Sequence, residues 1–291
     1  MKKIALFENA DKPDAIKYAI DAVHILHKFS AEIFVRHELF ELCDEDTKKI
    51  VLPRTIKEFE KYADMIITFG GDGTILTAAR ETINSDLPIM GVNVGKLGFL
   101  AEYNTTHLEQ AIKDVMNGIY RLVDRSILET KVEGITYYAL NDFVIEKNDN
   151  SKMITLAAYS DEHYVGDYRA DGVIISTPTG STAYSLSCNG PIIAPSTQVL
   201  CITPISPHTL TLRPLVVPDT NEIRFRLDTP NCEAILVADG YTVKLIKYGE
   251  EVTMKLSESK VKLIKPEKST YYDVLRRKLL WGANALDEYV K

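Results

Sequence analysis

The sequence predicts an α/β amino-terminal domain built on a parallel, Rossmann-like sheet, followed by an all-β sandwich and a helical tail. Three observations carry that reading. Residues 64–80 run from an apolar, β-branched stretch through Gly70-Gly71-Asp72-Gly73 into a helix pattern. Up to about residue 117, apolar strand-like runs alternate with segments of helical period, the pattern of right-handed crossovers in a parallel sheet. Beyond about residue 119, short β-rich runs recur with turn residues between them. The expected divisions are residues 1–118, 119–268 and 269–291, the last being a helical tail that returns to the first domain.

Taken in order, residues 2–7 read as a first strand, and 13–29 as a helix with Pro13 at its first position. Ile16, Ala19, Ile20, Val23 and Leu26 keep the helical period. His24 and His27 lie one turn apart but have no third ligand nearby, so they read as surface residues. A strand at 32–36 and a polar connection at 43–49 precede the strand at 64–69. Thr74 can cap the next helix, whose inner face would carry Ile75, Ala78 and Ala79. A strand at 88–93 and a helix at 106–117 close the domain. The sandwich strands are expected at 126–132, 136–146, 153–159, 163–169, 172–176, 199–203, 222–227, 234–237, 242–248, 251–255 and 261–264.

Of the 291 residues, 45% are hydrophobic and 26% charged, an ordinary globular composition. A formal charge of −7 argues against nucleic acid as a main partner. The apolar run after Met1-Lys2-Lys3 is too short for an export signal, and no later run approaches membrane-spanning length. Cys43, Cys188, Cys201 and Cys232 are scattered and read as free thiols of a cytoplasmic protein.

Strand, glycine turn and helix form the layout of a phosphate site, where helix N–H groups face an anion. Asp72 is the informative residue in it. A carboxylate beside a polyphosphate is repelled, and a helix start returns only roughly 0.3–1 kcal/mol. Asp72 therefore suggests a metal contact or a proton acceptor for a hydroxyl nucleophile. Gly91-Val92-Asn93-Val94-Gly95-Lys96-Leu97-Gly98 is a second glycine-rich strand exit. It is not a Walker A loop, because the spacing is one short and Leu97 stands where Ser or Thr must bind Mg²⁺. In the second domain, six Ser and Thr hydroxyls crowd into residues 176–186 around Gly180, a density suited to bonding a sugar or base. Asn141-Asp142 interrupts an apolar strand, where a buried polar pair is costly unless bonded. A bulge or edge strand is the alternative there.

These motifs resemble those of bacterial NAD kinases, in the family's order and over nearly the whole chain. They include G-G-D-G-T at 70–74, G-x-N-x-G-x-L-G-F-L at 91–100 and N-D at 141–142. The block D-G-x-I-x-S-T-P-T-G-S-T-A-Y-S-L-S at 171–187 is the most specific, and P-H-T-L at 207–210 and R-P-L-V at 213–216 continue it. The resemblance implies an active site between an α/β domain and a β-sandwich. It implies transfer of the γ-phosphoryl of ATP to the 2′-hydroxyl of the adenosine ribose of NAD, with a divalent cation such as Mg²⁺. It makes Asp72 the general base and Gly73 its binding neighbour. It gives Asn141 and Asp142 to adenine and ribose, and Thr182, Ala183, Tyr184, Ser185, Leu186 and Ser187 to the adenine end. Lys152, Arg169, Asp171 and Tyr241 align with further dinucleotide contacts, some across the interface of a homo-oligomer, dimer or tetramer; Lys152 and Tyr241 stand where the family varies. No metal ligand is assigned. A lipid kinase would need an apolar acyl channel where this chain is hydroxyl-rich, and a non-catalytic dinucleotide sensor would leave Asp72 without a task.

Overall fold

The structure, a computed structural model, describes residues 1–148 and 152–281. The chain forms two compact units, Met1–Asp124 joined by the chain from Val261 onward, and Arg125–Lys260.

The first unit contains β1 (Lys3–Glu8), α1 (Pro13–Lys28), β2 (Glu32–Val35), α2 (His37–Leu42), α3 (Glu45–Lys48), β3 (Leu52–Pro53), α4 (Ile56–Tyr62), β4 (Met65–Gly70), α5 (Asp72–Glu81), β5 (Ile89–Asn93), β6 (Tyr103–Asn104) and α6 (Leu108–Met116). Its strands pair in parallel in the order β5-β4-β1-β2-β3, with β6 beside β5. Ile4, Ala5 and Leu6 are fully buried, as a central strand of a parallel sheet requires. The small residues Ala15, Ala19 and Ala22 on the buried face of α1 allow close approach to that sheet.

The second unit holds β7 (Arg121–Val132, but for its first residues), β8 (Ile135–Ala139), β9 (Asp142–Lys147), β10 (Ile154–Ser160), β11 (His163–Ala170), β12 (Gly172–Ser176), α7 (Tyr184–Ser187), β13 (Val199–Ile205), β14 (Leu215–Pro218), β15 (Ile223–Leu227), β16 (Glu233–Ala238), β17 (Tyr241–Lys247) and most of β18 (Glu251–Lys265). One antiparallel sheet runs β14-β13-β12-β9-β16-β17; the other includes β11-β10-β15-β18, with β7 beside β18 and β8 beside β7. Phe143, Ile175 and Ile202 of one sheet share a core with Leu156, Phe225 and Met254 of the other. This is an antiparallel sandwich.

The last residues of β18 return to the first unit, where Leu263 and Ile264 pair in parallel with Ile89 and Met90 of β5. Helix α8 (Tyr271–Leu279) follows, started by a reciprocal cap between Thr270 and Asp273. Its Lys278 ammonium donates to the Leu97 carbonyl and lies over the Phe99 ring. The remainder of the expected tail, past residue 281, lies outside the described residues.

Several local expectations need correction. Residues 45–48 are helical, because the Asp44 carboxylate caps them by accepting from the Thr47 N–H at 2.7 Å. Helix α4 was legible in Thr55 and Glu58, whose side chain and backbone bond reciprocally. Helix α5 begins at Asp72 rather than after Thr74. Thr74 sits inside it, and its hydroxyl accepts from the Gly71 N–H at 3.3 Å. The expected strand at 136–146 is broken at Leu140-Asn141, whereas those at 251–255 and 261–264 are one strand.

Candidate functional site

In the first unit, β4 ends in Gly70 and Gly71 serves as the cap before α5. Asp72 is thus the first helical residue, and Gly73, the second, is exposed. Their N–H groups, at the start of the helix, have no carbonyl partner within it, the arrangement from which helix starts bind anions. The Asp72 carboxylate reaches away from its own helix to the second glycine-rich exit. Oδ2 accepts from Phe99 N–H at 2.7 Å, and Oδ1 accepts from Leu100 and Ala101 N–H, each at 3.0 Å. The two glycine motifs of the sequence therefore meet on one side chain. A Cβ on Gly98 would lie 1.9 Å from Asp72 Oδ1, so only glycine lets the loop come this close.

Behind that loop, Lys265 is 1% exposed and donates to the Leu100 carbonyl at 2.7 Å. It also pairs with the buried Glu102 at 2.8 Å, and Ser269 donates to the other Glu102 oxygen. Buried ion pairs hold when their remaining lone pairs and protons are bonded, as here. Sequence reasoning missed both residues; Lys265, the last residue of an apolar strand, was the available signal.

In the second unit, Asn141 and Asp142 lie where the strand breaks between β8 and β9. The break is stitched to the turn after β12. Thr177 N–H donates to the Asn141 carbonyl at 2.9 Å, and its hydroxyl donates to the Leu140 carbonyl at 2.7 Å. Gly180 packs so closely that a Cβ there would lie 2.1 Å from Asn141 O. Asp142 is 5% exposed, and its carboxyl is pushed up to about 7, first by burial and then by the charge of Asp239. Asp239, another residue that sequence reasoning missed, accepts from the backbone N–H of Leu140, Asn141 and Asp142.

Several hydroxyls of the hydroxyl-rich turn are engaged within the fold. Thr177, Ser181 and Thr182 hydroxyls bond carbonyls of the fold, and the Ser185 hydroxyl lies 2.8 Å from that of Thr203 in the interior. Short polar side chains here replace backbone bonds that a tight, buried turn cannot make. Tyr184 and Ser187 are exposed, while Thr182, Ala183 and Leu186 are half-buried. Asp171 is half-buried and paired with Lys147 at 2.6 Å. Arg169 on β11, Lys152, and Tyr241 at the start of β17 are exposed.

A strand ending in a glycine turn that holds an oriented carboxylate, in one chain with a sandwich carrying a buried polar turn, fits a phosphotransferase of the nucleotide-handling kind, and the comparisons with known proteins show that class. Residues 4–120 match the ATP-NAD kinase N-terminal domain and residues 140–266 the ATP-NAD kinase C-terminal domain. The NAD kinase of Chlorobium phaeobacteroides is 38% identical over 284 residues, covering 96% of this chain and 97% of the relative. That of Moorella thermoacetica is 36% identical over 99% of this chain and 92% of its own length. Two solved structures share the fold. Yeast NADH kinase complexed with NADH has a TM-score of 0.87 at 23% identity, covering 98% of this chain and 89% of that one. An NAD kinase from Archaeoglobus fulgidus in complex with ATP has a TM-score of 0.76 at 24% identity, covering 94% and 99%. The chain belongs to the ATP-NAD kinase family, enzymes that phosphorylate NAD to NADP.

Proposed function

We propose that this kinase transfers the γ-phosphoryl of ATP to the 2′-hydroxyl of the adenosine ribose of NAD, with Asp72 accepting the hydroxyl proton. The observation that carries the proposal is the bonding of the Asp72 carboxylate. Each carboxylate oxygen offers two lone pairs. With two N–H donors on Oδ1 and one on Oδ2, a single acceptor position is left, on Oδ2. A 2′-hydroxyl placed there gives up its proton to that oxygen as its own oxygen attacks the γ-phosphorus. The bond to the β-phosphate oxygen breaks, and ADP leaves. A positioned base of this kind typically supplies roughly 10²–10⁴-fold, and alignment of the reactants supplies much of the rest.

In the same reading Asn141 and Asp142 hold adenine and ribose, and 182–187 the adenine end. Gly73, Lys152, Arg169, Asp171 and Tyr241 add further contacts, some of them across a homo-oligomer interface. Among the described residues no group of three or more His, Cys, Asp or Glu side chains could hold a metal. The described residues offer no protein cage for a divalent cation. One that accompanies ATP is a ligand of the phosphates, as Mg²⁺ commonly is. Among the described residues no helix is long and apolar enough to cross a membrane. We place the enzyme in the cytoplasm, with neither membrane nor nucleic acid as a partner.

The test is Asp72→Asn with turnover, NAD affinity and thermal unfolding measured together. Asn must aim its NH₂ at one set of N–H donors, so unfolding shifts as well, by roughly 1–3 kcal/mol. In the folded variant kcat should drop by about 10²-fold or more with NAD affinity little changed. Near-normal turnover would remove Asp72 from the chemistry.

A further inference from the structure

Asp239 lies just past β16 with φ 45°, followed by Gly240 with φ 85°, so the chain folds back sharply at this point. Its Oδ2 accepts from Leu140 N–H at 2.8 Å, and its Oδ1 accepts from Asn141 N–H at 2.9 Å and Asp142 N–H at 3.1 Å. In return its own N–H donates to the Asp142 carbonyl at 3.0 Å. Three successive amides of the strand break thus converge on one carboxylate, as three amides converge on Asp72 in the other unit. Without an acceptor there, three buried or half-buried N–H groups would lose their partner at once.

We propose that Asp239 is a positioning residue for NAD: it fixes the backbone from which Asn141 and Asp142 present their side chains to the dinucleotide. This rests on the assignment of Asn141 and Asp142 to the NAD site. The bonding explains how two carboxylates divide one charge. Three N–H donors stabilise a negative Asp239, so of the two the buried Asp142 is the one that keeps a proton towards neutral pH. Tyr184 and Cys188, from α7 and just after it, also sense the Asp142 charge, and neither brings a cation to it. An ionised Asp142 accepts a bond from a ribose or adenine donor; a protonated one has lost much of that capacity.

The experiment compares wild type, Asp239→Asn and Asn141→Ala, measuring KM for NAD, KM for ATP and kcat from about pH 5.5 to about pH 9, a range that brackets the Asp142 transition. Asp239→Asn is expected to raise KM for NAD about tenfold while KM for ATP stays within about twofold. Its acid limb in NAD binding should move to lower pH, because the like charge on Asp239 is gone. Asn141→Ala should raise KM for NAD without moving the limb. A purely structural role would lower kcat in proportion to the folded fraction and leave KM and the limb in place, which would overturn the proposal. So would an unchanged KM for NAD in Asp239→Asn beside a raised one in Asn141→Ala. If neither variant changes it, the assignment of Asn141 to NAD is wrong and the positioning role falls with it. Should Asp239→Asn fail to fold, hydrogen exchange of wild type decides. Slow exchange at the amides of 140–142, slowed further by NAD, is expected, and exchange at open-loop rates would overturn the proposal.

Discussion

In the proposed NAD site, Asp142 is the residue whose burial has a cost in stability. Its carboxyl is raised from 3.8 to about 7, mainly because burial removes the water that would solvate the charge. Between those values the folded state binds more protons than the unfolded chain, so stability falls as pH rises through that window. Asp142→Asn removes the buried charge and should stabilise the protein at pH 8 by a few kcal/mol, since each tenfold gain in proton affinity on folding is worth about 1.4 kcal/mol. At pH 5, about one unit above the unfolded value of 3.8, the gain should shrink to roughly 1–2 kcal/mol, and it should vanish only below that value. NAD binding should weaken at pH 8 in the same variant, the exchange of stability for function common at binding sites. Thermal unfolding at both pH values checks this, and an equal gain at both would mean that charge is not the cause.

Among the elements, the loop after β5 and the turn after β4 act as one piece. Gly98→Ala would drive a Cβ to 1.9 Å from Asp72 Oδ1, and the buried loop has little room to yield. We expect kcat to fall by roughly tenfold or more while Gly95→Ala, whose Cβ meets nothing within 4 Å but whose φ is 120°, acts mainly on stability. Turnover in Gly98→Ala equal to wild type would show that Asp72 does not depend on this loop. The case also shows how far sequence could go. Each glycine-rich exit was legible, because strand, glycine and helix punctuate one another locally. Their meeting was not, since residues 72 and 99–101 come together only through the sheet. Asp239-Gly240 has the form of an ordinary turn dipeptide, and nothing local ties it to residues 140–142. In the hydroxyl turn, composition does not separate the two uses: hydroxyls that build a buried turn, as Ser181 and Ser185 do, and hydroxyls that bind a sugar look the same. Strand 251–265 reads as two in the sequence because Ser257-Glu258-Ser259-Lys260 interrupts its apolar pattern, whereas only alternate residues there need be buried.

For the whole molecule, we propose an assembly that completes the NAD site, a reading supported by the family resemblance and by the edge strand β11, which carries the exposed Arg169. Closed homo-oligomers are the common state of soluble enzymes. Co-refolding Asp72→Asn with Asp171→Ala should recover turnover towards about a quarter of wild type if hybrids of a randomly mixed dimer each carry one intact site. Mixing proved by native mass spectrometry, with no recovery, would place both residues in one subunit's site. The Asp171–Lys147 pair within this chain makes that result informative in either direction.

The return of β18 to β5 has a consequence for the order in which the protein is made. On the ribosome, residues 1–124 emerge first, yet the side of β5 that pairs with Leu263 and Ile264 stays open until the whole sandwich has been translated. During that interval Glu102 and the Leu100 carbonyl also wait for Lys265, and a buried carboxylate without its cation is unfavourable by several kcal/mol. The backbone that grips Asp72 is therefore expected to set only once residues from Val261 onward have been made.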